Sequence, residues 1–383
     1  MVLLIITAIL FLFYTALIIF YHRGWQSLPV YKLSHRLQTA VRFSVIIPAR
    51  NEEKNIGALL TSLQQQSYPK EWFEVIVVDD HSDDATAEVS KSAINEGDHF
   101  QLIRMTGQMM NSYKKKAIEN GIAAAKYEWI ICTDADCVVH PGWLSAFAGF
   151  IADKDPVFIA APVRLMPGVS AEGKENKSLF IFQSLDFMSM QGITGASVYK
   201  NVHNMCNGAN LAYKKEVFYE VNGFKGIDAI ASGDDMLLMH KIWKRYPHKV
   251  AYLKSTDAIV NTLAAPLWKD FFNQRIRWAS KAKYYDDKRI FWVLLLVYLL
   301  NVSFFVLLAA SLFSIKYFYT LLLLWIAKTL VELPFMVGVS RFFNRQKILK
   351  WFFFFQPLHI AYIIISGFLG SFGKYEWKGR RVR

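Results

Sequence analysis

An open, mostly parallel α/β domain set between apolar helices is the architecture this sequence predicts. Three observations predict it. From residue 43 to about 260, short apolar runs alternate with polar stretches of helical period, each crossover long enough for a parallel return. Several of those runs end in carboxylates, at the strand edge where open α/β sheets bind ligands. Uncharged runs long enough to cross a hydrocarbon core of roughly 30 Å stand before and after this stretch.

The apolar runs come first in the chain. Residues 1–21, "MVLLIITAILFLFYTALIIFY", lack the basic start and small-residue cleavage site of a signal peptide and read as a retained transmembrane anchor. Residues 22–42 follow as a juxtamembrane linker. Runs at about 291–313, 317–340 and 351–372 read as transmembrane or re-entrant helices within 289–373, with a basic tail at 374–383. Arg23, Lys32, Arg36 and Arg42 follow the first run, and Lys281, Lys283, Lys288 and Arg289 precede the second. This pattern puts both flanks of the soluble domain in the cytoplasm and predicts a multi-pass cell (inner) membrane protein. Loop 341–350 and tail 374–383 are both basic, yet a single span between them would separate them. A re-entrant segment, an interfacial one, or a hairpin around Pro357 would reconcile the two. Lys328 and Glu332 share one face of a predicted span, either as a functional charge pair or as a structural one.

Composition narrows the function. The 383 residues are 54% hydrophobic and 15% aromatic, with a formal net charge of +13. Such a balance suits a membrane surface, an anionic substrate or nucleic acid. The basic residues concentrate beside the spans and no RNA- or DNA-binding motif occurs, which argues against nucleic acid. Three cysteines without a CxxC pair argue against a disulfide-stapled fold. Cys132 and Cys137 read as small core fillers.

Within the soluble domain, "FSVIIPA" (43–49) predicts a buried strand. Asn51 is the expected cap of the next helix, whose apolar face is Ile56, Leu59, Leu60 and Leu63. "FEVIVVDDHS" (73–82) predicts a second strand, followed by a helix capped by Ser82 or Asp83. "FQLIRM" (100–105) reads as a third strand, "KKKAIENGIAAAK" as a helix, and "EWIICTDAD" as a fourth strand. "CNGANLAYKKEVF" (206–218) reads as a returning strand and helix. Residues 263–288 form an amphipathic interfacial helix, with Trp268, Phe271, Phe272, Ile276 and Tyr284 near its apolar face.

The carboxylates carry the chemistry. Asp79, Asp80, Asp134 and Asp136 all fall at predicted strand ends. Asp134-Ala135-Asp136 offers two hard oxygen ligands to Mg²⁺ or Mn²⁺, which commonly take one or two protein carboxylates plus phosphate oxygens. Such a cation neutralises charge on the phosphate oxygens it binds. A lone GDD at 233–235 is most simply a surface turn, and a lysine within the run "KKK" is most simply solvated.

"FSVIIPARNEEKNI", "VIVVDDHSDDAT", "WIICTDADC", "CNGANLAYKKEVFYEVNGF", "SGDDMLL" and "QRIRW" occur in this order. Together they resemble the membrane-bound family 2 glycosyltransferases of GT-A fold, over about residues 40–285. Each fragment alone is weak; six in order, ending in an intact Q(Q/R)xRW, are specific. The resemblance implies a GT-A catalytic domain over 43–262, with N- and C-terminal transmembrane helices. It implies an inverting, metal-dependent transfer from a nucleotide donor, a UDP-sugar by preference, to a membrane-embedded lipid or glycan acceptor. By that resemblance Asp134 and Asp136 hold the metal, Asp134 also serves the nucleotide sugar, and Asp235 is the general base. Ala49, Arg50, Glu52 and Asp80 line the nucleotide pocket. Lys114 stands where relatives have a nucleotide-contacting Lys, although Tyr113 replaces the usual preceding Gly. Gln274, Arg275, Arg277 and Trp278 close over the site, the arginines on the diphosphate and Trp278 at the acceptor channel. Asn207 to Asn210 form part of the acceptor-side wall. Two alternatives stay open: a processive polysaccharide synthase, and a non-catalytic membrane scaffold, for which loss of the carboxylates would be the signature.

Overall fold

Seven residues of β1 (Phe43–Ala49) and seven of β2 (Phe73–Asp79) are almost entirely apolar and almost entirely buried. Buried aliphatic runs of this length form interior parallel strands because both sheet faces must be covered. In the computed structural model, which describes residues 1–33, 41–94, 99–106, 113–169, 173–202, 205–228, 233–281, 285, 287–372, 375–377 and 380–382, β1 pairs in parallel with β2, from Phe43 opposite Phe73 to Ala49 opposite Asp79.

The chain divides into two compact units. Leu28–Met166 with Asn204–Leu263 is the sheet unit. After β1 and β2 come β3 (Phe100–Arg104) and β4 (Trp129–Cys132), then the short β5 (Cys137–Val138), β6 (Phe158–Ala160), β7 (Val163–Met166), β8 (Leu211–Lys214), β9 (Val250–Tyr252) and β10 (Val260–Leu263). Among the described residues the main sheet runs β3-β2-β1-β4-β8-β6-β9. Its pairs are parallel except those that β8 makes with β4 and β6. A second sheet orders β5-β10-β7. Helices α2 (Ile56–Gln64), α3 (Thr86–Ile94), α4 (Tyr113–Ala124) and α5 (Trp143–Lys154) cross between strands. Ile56, Leu59, Leu60 and Leu63 are the buried face of α2, as their spacing predicts.

Two caps fall elsewhere than expected. Helix α2 starts at Ile56, and Asn51 sits before it in the left-handed region at φ 52°. There its side chain accepts from Asp83 N–H at 2.9 Å and its own N–H donates to Ser82 Oγ at 3.0 Å. Asn51 and Ser82 thus tie two loops together instead of capping helices. Neither Ser82 nor Asp83 caps α3; Asp84 accepts from Thr86 N–H at 3.0 Å, at the helix's first residue.

Met1–Ser27, Pro167–His203 and Ala264–Arg383 form the helical unit. It contains α1 (Val2–Ser27), α6 (Lys177–Tyr199), α9 (Trp268–Ala279), α10 (Lys288–Ser311), α11 (Ile315–Phe342), a 3₁₀ segment (Gln346–Trp351) and α12 (Phe352–Phe372); α7 (Lys215–Glu220) and α8 (Met236–Arg245) belong to the sheet unit. Val2–Ser27, Lys288–Ser311, Ile315–Phe342 and Gln346–Gly370 are long and apolar enough to cross a membrane. Helix α1 runs six residues beyond the expected end of the anchor, into what the sequence reads as linker, because Tyr21 and Trp25 are buried against Phe335 and Phe342 of α11. The single domain expected over 43–262 is interrupted: α6 belongs to the helical unit. Tyr284 lies outside the described residues.

Lys328 and Glu332 resolve into a satisfied network. Lys328 Nζ donates to Glu332 Oε1 at 2.6 Å and to Gln356 Oε1 at 2.8 Å, while Tyr14 Oη and Gln356 Nε2 donate to the Glu332 carboxylate.

Candidate functional site

The carboxyl edge of β2, β1 and β4 gathers the loops that bear the acidic residues. Two of these loops are laced to each other. Asp80 N–H donates to Ala49 O at 2.8 Å, and Arg50 Nη1 donates to the carbonyls of Asp80 at 2.8 Å and His81 at 3.0 Å. Asp79 accepts from Ser82 N–H at 3.1 Å, which makes it a loop-shaping residue, as its position suggests. His81 takes a left-handed conformation, φ 54°, and its Nδ1 lies 3.0 Å from Asp80 Oδ1. This is the role that sequence reasoning could not derive for His81: it turns the loop and steadies Asp80. Glu52 belongs to the same lattice, accepting from Asn55 Nδ2 at 2.7 Å and donating its N–H to Thr86 Oγ1 at 2.7 Å.

The second cluster centres on a lysine. Lys114, on the first turn of α4, sets its ammonium 2.7 Å from Asp134 Oδ1 and 3.3 Å from Asp234 Oδ2. The plain reading of a solvated lysine in "KKK" is therefore corrected: Lys114 points into the acidic cluster. Burial opposes its charge, but Asp134, Asp234 and Asp235 outweigh that and hold its pKa well above the usual lysine value. Lys115 also turns inward and donates to Ile227 O at 2.8 Å, so the run is not a solvated face.

Asp235 is anchored through both carboxylate oxygens. Oδ1 accepts from Met236 N–H at 2.8 Å at the start of α8, and Oδ2 accepts from Gly208 N–H at 3.0 Å. The GDD is thus not a plain surface turn: Gly233 supplies the left-handed turn at φ 84°, Asp234 is buried, and Asp235 is held on two amides. Gly208, expected only as part of the acceptor-side wall, stands against the acidic cluster. A Cβ there would lie 3.3 Å from Lys114 Nζ, 3.4 Å from Asp234 Oδ2 and 3.5 Å from Asp235 Oδ2, in contact with all three charged groups. Its neighbour Asn210 is no wall residue. Fully buried, it accepts from Trp143 Nε1 at 3.1 Å and donates to Pro162 O at 2.8 Å and Ala258 O at 2.7 Å.

Asp134 keeps 36% of its side chain exposed, and Asp136 is half-buried. No group of three His, Cys, Asp or Glu forms a cage among the described residues. Two hard carboxylates with an open side fit Mg²⁺ or Mn²⁺, which complete their shells with water and phosphate oxygens. Cys132 and Cys137 are buried, and burial pushes the Cys132 thiol up to about 12, which suits inert fillers.

The QRIRW residues lie in the helical unit, on α9. Arg275 is buried, and its Nε and Nη2 donate to Asp186 Oδ2 at 2.9 and 2.7 Å. Its Nη1 donates to Gln274 Oε1 at 2.7 Å, and its guanidinium stacks 4.3 Å from the Trp278 ring centroid and 4.7 Å from that of Phe271. The expectation that Arg275 reaches a diphosphate is corrected: this guanidinium is committed to α6 and to its own motif. Arg277 remains the motif's candidate for that task. Asp186 also accepts from Tyr362 Oη and lies 3.6 Å from His359 Nε2. Burial works to raise its pKa, but Arg275, His359 and Tyr362 prevail and hold it at about 2.

A mostly parallel sheet with an acidic carboxyl edge, a half-buried counter-lysine and an anchored aspartate suits a sugar-transferase type of domain. The comparisons agree. Residues 44–221 match the model of Glycosyl transferase family 2. Over 250 residues the chain is 25% identical to a poly-beta-1,6-N-acetyl-D-glucosamine synthase of Staphylococcus epidermidis, covering 62% of this chain and 53% of that one. Over 101 residues it is 34% identical to glycosyltransferase AglE of Haloferax volcanii, covering 26% of this chain and 32% of that one. The chain thus spans about half or less of the length of these relatives. Its fold is similar to that of mannosyltransferase PcManGT from Pyrobaculum calidifontis, solved with GDP-Man and Mn²⁺, at TM-score 0.58 and 17% identity over 97% of this chain and 99% of that one. Residues 44–221 are therefore a family 2 glycosyltransferase domain of GT-A-like fold.

Proposed function

We propose that the protein is an inverting glycosyltransferase that moves a sugar from a nucleotide donor to a membrane-embedded lipid or glycan acceptor. The observation that carries this reading is Asp235, fixed by two backbone amides beside the Lys114–Asp134–Asp234 cluster. A carboxylate held this way cannot swing, and it retains lone pairs for one more proton. In the reaction it takes the proton of the acceptor hydroxyl as that oxygen attacks the anomeric carbon. The new C–O bond forms on the face opposite the departing nucleoside diphosphate, whose C–O bond breaks. Asp134 and Asp136 would hold Mg²⁺ or Mn²⁺, which when bound supplies positive charge to the leaving diphosphate. Lys114 adds a fixed cation beside Asp134. Asp80, braced by His81 and by the Ala49 carbonyl, would accept from the nucleobase, with Arg50 and Glu52 fixing the loops around it. UDP-linked donors fit the resemblance; the GDP-Man carried by the neighbouring mannosyltransferase makes the base an open specificity to be read by assay.

Four helices apolar enough to span, with basic flanks, support action at a membrane with the sheet unit on the cytoplasmic side. The similarity to a polysaccharide synthase favours processive addition as the second reading. Purified full-length protein, screened over nucleotide sugars with a lipid extract and Mn²⁺ or Mg²⁺, tests both. Donor-dependent nucleotide release with single-sugar lipid products supports the first reading, and a ladder of products the second. No transfer with any donor, in protein that stays folded, contradicts both.

A further inference from the structure

We propose that α12 re-enters the membrane instead of crossing it, so that only α1, α10 and α11 span. The segment 343–373 would then begin and end on one side, with the exposed edge of α12 lodged in the lipid of a single leaflet. This inference rests on the membrane reading above.

The argument is one of sides. Trp25, near the end of α1, packs edge-on against Phe342 at the end of α11, with ring centroids 5.5 Å apart, so these two helices finish together. Helices α10 and α11 pack on each other and are joined by the short turn Leu312–Ser314, so the start of α10 at Lys288 lies on that same side. A helix α12 that crossed would carry Gly370 toward Ser311, the far end of α10. It does the opposite. A Cβ on Gly370 would lie 2.6 Å from the Ala279 Cβ and 3.1 Å from Ser280 N, at the end of the charged helix α9 that leads into α10. A Cβ on Gly367 would lie 3.0 Å from the ring of Tyr298, in the first half of α10.

The start of α12 lies deeper. Phe353 stacks on Trp325 at 4.5 Å, and Gln356 accepts from Lys328 at 2.8 Å. Trp325 stands roughly 25 Å back along α11 from Phe342, at 1.5 Å per residue. The chain therefore runs back along α11 through the 3₁₀ segment and returns through α12 to the side it left. Irregular backbone at membrane depth is tolerated where protein covers it, and the 3₁₀ segment here packs on α11, α12 and α6.

The side chains of α12 divide accordingly. Gln356, Tyr362 and Ser366 are buried, the first two hydrogen-bonded to Lys328 and Asp186. Phe354, Ile365 and Phe368 are exposed and apolar, a surface suited to acyl chains. The same topology removes the conflict in the charge pattern. Arg341 and Arg345 at the end of α11, and Arg380 and Arg381 in the tail, then share one side with Arg23 and Lys288.

Cysteine accessibility in the full-length protein tests this. The three native cysteines are buried, so the wild type gives the blank. Phe313→Cys, Arg341→Cys and Arg381→Cys are each treated with a membrane-impermeant maleimide in intact and in permeabilised cells. Expected are labelling of Phe313→Cys in intact cells, and of Arg341→Cys and Arg381→Cys only after permeabilisation, with at least a tenfold contrast. Arg381→Cys labelled in intact cells as strongly as Phe313→Cys overturns the re-entrant assignment and leaves the membrane reading standing. Release of the protein from membranes by carbonate overturns the membrane reading itself. A fluorescent-protein fusion after Arg383 checks the side without substitutions: fluorescence is expected, and a dark fusion whose alkaline-phosphatase counterpart is active overturns the proposal.

Discussion

Two lysine–carboxylate clusters, one in each unit, show what burial is for. In the helical unit Lys328 faces one carboxylate, Glu332, and Tyr14 and Gln356 complete the hydrogen bonds of both. The charges balance and the polar atoms are met, as a low-dielectric setting requires. In the sheet unit a single ammonium, Lys114, is shared between Asp134 and Asp234 with Asp235 close by, and one of those carboxylates stays partly open. The first cluster is closed and reads as structure. The second is rich in negative charge and open on one side, and it reads as a site that takes up a cation and a substrate.

The largest expected effect breaks the open cluster at its anchored member. Asp235→Asn removes the proposed base while keeping one acceptor for the two amides, so transfer should fall by about 10²–10⁴-fold with donor affinity nearly unchanged. Turnover and equilibrium donor binding, measured on the same preparation, check it. Wild-type turnover in this variant removes the assignment.

Next come the carboxylates proposed to hold the cation. Asp136→Ala and EDTA should both lower turnover and weaken donor binding, and added Mn²⁺ should restore the EDTA-treated protein but not the variant. Lys114→Met should lower donor affinity by about tenfold, the scale of one charge-assisted contact near 1.5 kcal/mol. Titration of binding by fluorescence reads this directly.

The closed clusters sharpen the contrast through stability. Asp186→Asn leaves Arg275 buried without its charge partner, at a cost of about 3–5 kcal/mol. Because Asp186 is held at about 2, below the ordinary carboxylate value near 3.9, its contribution is fully present above that ordinary value and is lost only as pH falls toward 2. Thermal unfolding of the wild type should thus show no change from this group between pH 8 and 5. The smallest effect is expected of Lys328→Met with Glu332→Leu. Either change alone should destabilise by several kcal/mol, the pair together by far less, with transfer retained. Loss of transfer in a stable double variant would give this network a role in function.

Much of the site was legible because its chemistry is local in sequence. The strands β1, β2 and β4, and the carboxylates at their ends, follow from buried aliphatic runs that stop at Asp. What was illegible depends on distance. Helix α6 carries Gln183, Asp186, Gln191 and Thr194 among its buried residues, so no clean apolar stripe announces it. Asp186 becomes meaningful only when Arg275 arrives from far along the chain. Lys114 looked solvated because its two partners stand about twenty and more than a hundred residues away. Gly208 left one hint, its place in "CNGAN", where a Cβ would be in contact with three charged groups.

The most direct measurement is sugar transfer by the purified full-length protein and by Asp235→Asn, with Mn²⁺, a nucleotide sugar that releases its nucleotide, and a lipid acceptor. Nucleotide release and the anomeric configuration of the product are both read. One nucleotide per sugar transferred, an inverted linkage, and an Asp235→Asn variant that binds donor but does not transfer are the predicted results. A retained configuration, or an active Asp235→Asn enzyme, contradicts the account.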